Sequence, residues 1–204
     1  METKKKKFDT LTMVELALLL AITIIMGTTP LGTIRTPFLS ISLVTIPVAI
    51  GAIIIGPIGG IVCGLGFGFT SLYNALIGAS GMMSTLMAVN PFLAVVTILV
   101  PRFLEGLCTA YLFKFFQNKV KAGKASYFLG AICCPLLNTI LFMGCIVIFF
   151  YNSDYIQGLV ETFGVSNPIS FIIALVGVQG LIEAVSCCVL AGAVSWALQK
   201  AIKR

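Results

Sequence analysis

Histidine is absent from the 204 residues, and charged side chains make up only 10% of them. The first gap removes the usual general base near neutral pH and the commonest zinc ligand. The second excludes an ordinary soluble domain, in which about a quarter of residues carry charge. Aspartate is nearly missing as well. Asp9 and Asp154 both fall outside the long apolar runs, so an intramembrane aspartyl protease would lack its dyad. The serines have no base partner to activate them. The 7 cysteines show no Cys-x-x-Cys spacing and sit in apolar stretches, which reads as small buried side chains. No glycine-rich loop precedes Lys124, and Ala125 follows it, so the phosphate-cradling P-loop of an ATPase is missing. No catalytic group, metal site or cofactor is expected in this chain.

Apolar residues are plentiful, at 59% with a mean hydropathy of +1.10. The expectation is one all-α integral-membrane domain over residues 1–204, with six spans at about 11–28, 41–55, 58–76, 90–116, 126–150 and 167–198. The first run continues into a long protein without a small-residue cleavage site, so it reads as a retained span. The net charge of +6 is not spread as a nucleic-acid face. Lys4–Lys7, then Lys114, Lys119, Lys121 and Lys124, then Lys200, Lys203 and Arg204 cluster between or beyond the spans. By the positive-inside rule these clusters predict cytoplasmic N- and C-termini.

The polar residues inside the spans carry the functional expectation. Arg102 falls near the middle of the segment from Asn90 to Phe116, with Glu105 one helical turn later. A cation at that depth costs several kcal/mol unless it faces a protein interior or polar cavity with an anionic partner. Asn138, Gln179 and Glu183 fall at similar depth, while Tyr73 and Asn74 lie nearer the outer surface. Together these groups predict an outward-facing pocket, deepest at Arg102. Either a ligand supplies the anion, or Glu105 and Glu183 neutralise Arg102 internally. Gly56, Gly60, Gly64 and Gly68 recur every four residues and predict close helix packing, as do Ala17 and Ala21. Residues 35–40 read as an outer loop or re-entrant piece, residues 78–87 as a lid or plain connector, and residues 151–165 as an outer loop.

Several segments carry a family resemblance. Leu31-Gly32-Thr33-Ile34, the segment from Thr45-Ile46-Pro47-Val48 through Gly51-Ala52-Ile53 to Gly56-Pro57, and the Ala17-xxx-Ala21 pair resemble the substrate-binding S components of energy-coupling factor (ECF) vitamin transporters. More narrowly, Asn90-Pro91, Val100-Pro101-Arg102, Leu137-Asn138-Thr139-Ile140-Leu141 with Met143-Gly144, and Gly180-Leu181-Ile182-Glu183-Ala184 resemble the pantothenate-type members. The resemblance implies a binding subunit of a bacterial cell membrane, without an ATPase of its own. It would partner a membrane T component and two cytoplasmic ATPase subunits. It also implies that Ala17 and Ala21 face the T component and that Arg102 and Asn138 contact the ligand, with Asn74 next. Tyr73, Glu183 and Asn90 complete the candidate set. The alternatives are an S component for folate or riboflavin, a proton-coupled carrier using Glu105 and Glu183, and a scaffold whose arginine only orders the bundle.

Overall fold

Gly56, at φ 93°, adopts a left-handed backbone conformation that side chains disfavour, and there the chain breaks between two helices. Pro57 takes the first position of the second helix, where its missing N–H leaves nothing unsatisfied. The computed structural model describes residues 9–35, 40–120, 123–165 and 167–202. Its helices are α1 (Thr10–Thr28), α2 (Thr45–Ile54), α3 (Pro57–Leu76), α4 (Gly81–Val89), α5 (Pro91–Phe115), α6 (Ala125–Phe150), α7 (Asp154–Phe163) and α8 (Pro168–Ile202). Strands β1 (Thr33–Arg35) and β2 (Ser40–Ser42) pair antiparallel, with Ile34 opposite Ile41. A turn of wider π-helix, Phe116–Val120, follows α5.

Five of these helices, α1, α3, α5, α6 and α8, are long and apolar enough to cross a membrane. The expected span at 41–55 is not a sixth of that length. Its first residues belong to β2, and its 10-residue helix rises only about 15 Å before Gly56 stops it. Eight of the residues of α2, from Thr45 to Ile53 except Ile46, are buried. It is an interior helix, packed against α3, α5, α6 and α8. The loop expectations change as well. Residues 36–39, most of the expected outer loop at 35–40, lie outside the described residues between paired strands β1 and β2, while residues 78–87 run into α4 and residues 151–165 contain α7. Lys4–Lys7, Lys121, Lys203 and Arg204, on which the orientation expectation leaned, lie outside the described residues.

Two apolar clusters build the core. One surrounds α2, with Val44, Val48, Ile53, Phe67, Phe113, Tyr127 and Cys187. The other lies beneath α4 and α7, with Met82, Leu86, Ile98, Phe142, Ile146, Ile156 and Phe171. Helix α4 owes its buried face to Met82, Met83 and Leu86, spaced for one side of a helix.

The glycine stripe does what its spacing predicts at Gly60, Gly64 and Gly68, but not at Gly56, whose surroundings are open. A Cβ on Gly60 would run into the Gly106 carbonyl, and one on Gly64 into the Arg102 carbonyl. The α3 and α5 backbones therefore meet directly, which fixes the wall from which Arg102 projects. Gly106→Val should separate them and destabilise the protein by about 2 kcal/mol. Thermal unfolding in detergent, followed through Trp196 fluorescence, would record the lowered midpoint.

Candidate functional site

A polar layer separates the two apolar clusters. Along α5 the chain passes from Ile98 in one cluster to Phe113 in the other, with Arg102 and Glu105 between. Along α6, Asn138 lies between Cys134 and Phe142. Along α8, Gln179 and Glu183 lie between Val176 and Cys187. Each helix changes cluster at its polar residues, so the layer crosses the bundle at one level. Arg102 and Asn138 are each 7% exposed, Glu183 4% and Glu105 0%.

Within this layer the arginine is under-partnered. Its guanidinium carbon stands 4.2 Å from the Phe142 ring centroid and 5.1 Å from that of Phe67. Among the described residues its one hydrogen bond is long: Nη1 donates to the Thr97 carbonyl at 3.5 Å, and Nε has no partner there. It forms no ion pair with Glu105, Glu183 or any other described acid. A direct ion pair with a described acid is therefore not what holds it. The ring faces supply roughly 0.5–2 kcal/mol each, against a cost of several kcal/mol for a cation in the bilayer interior.

The glutamates bind elsewhere. Cys134 Sγ donates to Glu105 Oε1 at 3.1 Å, and Glu105 Oε2 is left without a partner. Glu183 Oε1 accepts from the Ser42 backbone N–H at 2.6 Å and from Gln179 Nε2 at 3.3 Å. It thereby ties the end of the hairpin to α8, a connection reinforced where the Cys187 thiol donates to the Thr45 carbonyl. Asn138 Oδ1 and Thr97 Oγ1 are buried and unpartnered too.

Three candidates are placed outside this layer. Asn90 caps α5, its side chain accepting from the Leu93 N–H at 3.2 Å. Asn74 Nδ2 donates to the Gly27 carbonyl at 2.8 Å and so links α3 to α1. Tyr73 is 54% exposed and lines an apolar groove between α1 and α3, beside Leu20, Ile24 and Phe69. Conversely, the sequence reading missed Phe67, Phe142, Cys134 and the Ser42 N–H. Spacing could have found two of them, because Cys134, Asn138 and Phe142 succeed one another by four on α6 and share a face. Phe67 and the Ser42 N–H leave no such trace.

Ala17 and Ala21 are exposed on α1, whose only buried residues are Thr23 and Gly27. The pair packs against nothing in its own chain that would hide it.

Long apolar helices around a buried charged layer define a multi-pass membrane protein with a polar interior suited to holding a small molecule. The chain belongs to the family of ECF transporter substrate-specific components, whose family model matches residues 11–195. Comparison with curated proteins returns no match. Members of this family are substrate-binding transporter subunits rather than enzymes, and they work with T and ATPase partners in the ECF complex.

Proposed function

We propose that this protein is the S component for a small carboxylate-bearing vitamin, with pantothenate as the best-fitting candidate. The observation that carries the reading is Arg102, buried in the bundle with an unsatisfied Nε and, among the described residues, no acid paired to it. A ligand carboxylate would complete it through the guanidinium's fork of donors. Around it, Asn138 Oδ1 and Glu105 Oε2 are unpartnered acceptors, fitted to ligand hydroxyl and amide N–H groups. Pantothenate offers one carboxylate, two hydroxyls and an amide. Folate and riboflavin would need stacking surface, and the two rings at this site, Phe67 and Phe142, are already covered by the guanidinium.

In this reading Arg102 and Asn138 bind ligand, with Glu105 beside them. Glu183 holds the Ser42 end of the hairpin at the site's edge. The pocket opens outward in a bacterial cell membrane with both termini cytoplasmic. Ala17 and Ala21 meet the T component, which two ATPase subunits drive. Calorimetric titration of the purified protein tests it directly. Pantothenate should bind one per chain, and riboflavin and folate should give no heat at the same concentrations. Binding of a flavin or pterin in preference to pantothenate would overturn the assignment.

A further inference from the structure

We infer that a cleft at the lysine-bearing end of the bundle is a binding site for the phosphate headgroup of an anionic phospholipid. The cleft has a volume of about 430 Å³ and lies where the π-helical turn, the start of α6 and the end of α8 converge, walled by Gln117, Tyr127 and Trp196. Lys124 and Lys200 both line it and are both exposed. Their ammonium nitrogens stand 5.1 Å and 5.9 Å from the centroid of the same Trp196 ring.

Two cations over one neutral ring repel each other, and none of the described residues lining the cleft is acidic. No acidic residue occurs between Glu105 and Asp154 or after Glu183, so none of the three segments lining the cleft carries a carboxylate. A bound anion would compensate the two cations. A phosphate diester between the two ammonium groups would accept from both.

The surroundings favour a lipid as its source. Tyr127 and Trp196 are the amphipathic rings that settle at headgroup level in membranes. Toward the bundle centre, exposed Phe128 on α6 and exposed Val185 and Val189, which share the Trp196 face of α8, offer apolar surface along which acyl chains can lie. Basic clefts between spanning helices recognise anionic headgroups on this principle. The site is remote in sequence and level from the polar layer, so the inference does not depend on which vitamin is carried.

Delipidated full-length protein in detergent would be titrated with phosphatidylglycerol, phosphatidylcholine or inorganic phosphate, and bound species counted by native mass spectrometry. One phosphatidylglycerol should bind per chain at concentrations where phosphatidylcholine does not. The paired substitution Lys124→Gln, Lys200→Gln should weaken it about thirtyfold, since each lysine near a lipid surface contributes about a factor of five. Lys114→Gln, at the same end but outside the cleft, should leave affinity unchanged. Equal binding of phosphatidylcholine would overturn the inference, as would an equal loss from Lys114→Gln. Displacement of the lipid by millimolar inorganic phosphate would show a free-anion site and overturn the lipid assignment.

Discussion

Arg102→Met should give a folded protein that has lost its ligand. A charge-assisted, two-pronged contact to a carboxylate contributes about 3 kcal/mol, so Kd should rise by roughly two orders of magnitude. The apo protein should unfold at the same temperature as the wild type or a higher one. The reason is the setting of the guanidinium. Without ligand it is buried, lacks a partner at Nε and is held by the faces of Phe67 and Phe142. Removing an unpaired buried charge relieves a desolvation cost, and methionine fills a similar volume while its sulfur suits two aromatic neighbours. Arg102→Lys should fall between, because it keeps the charge and loses the planar fork. Calorimetry gives the affinity and differential scanning fluorimetry the midpoint. If Arg102→Met failed to fold, the arginine would be a structural hub. If it folded and bound normally, the carboxylate contact would be elsewhere.

That pair of readouts separates the two options that spacing left open. Glu105 stands three residues after Arg102, and an i,i+3 pair on one helix is a reasonable expectation. The structure turns the two apart, Glu105 toward the Cys134 thiol on α6 and Arg102 toward two rings on α3 and α6. Sequence places residues along a helix and around its circumference, so it could put Arg102, Asn138, Gln179 and Glu183 at one level. It does not say which rotamer each adopts or which neighbour across the bundle takes its hydrogen bonds. Nor does a polar residue in an apolar run announce whether it serves a ligand or the fold. Asn74 and Asn90 stood behind Asn138 in the same candidate set, yet one ties α3 to α1 and the other caps α5.

The fold was legible where one signal dominated. Apolar runs of about 20 residues can hardly be anything but spanning helices, and α1, α3, α5, α6 and α8 answer to that rule. The misreadings fall on short elements. Helix α2 is apolar over its whole length because it is buried on all sides, and length alone distinguishes that from a span. Helix α7 had usable punctuation that went unread. Ser153 accepts from the Ile156 N–H at its start, and Gly164, at φ 63°, closes its end. The hairpin pairs only three residues on each strand, too few for alternation to register.

Ala17→Trp should leave ligand affinity and thermal midpoint unchanged while cutting uptake by the assembled transporter more than tenfold. Only Thr23 and Gly27 of α1 are buried, and Ala17 and Ala21 lie on a face that its own fold leaves uncovered. Small side chains four apart let a second helix approach to within about 8–10 Å, where backbone and side-chain packing are continuous. An indole at that position would hold the partner helix away along a full turn. In the isolated subunit the same indole meets only lipid or detergent, so the stability change should stay within about 0.5 kcal/mol. The comparison that gives the experiment its force is Val178→Trp, an equally bulky change at a 76% exposed position on α8. It should reduce neither binding nor uptake. Binding would be measured by calorimetry on the purified subunit, and ATP-dependent uptake of radiolabelled ligand in proteoliposomes containing the T and ATPase partners. Undiminished uptake by Ala17→Trp would place the T-component contact on another face. Loss of uptake in both variants would trace the defect to added bulk in the bilayer. Selective loss at Ala17 alone ties transport to a surface the subunit does not need for its own folding, which is what a binding subunit requires if it is to dock on a motor it does not itself contain.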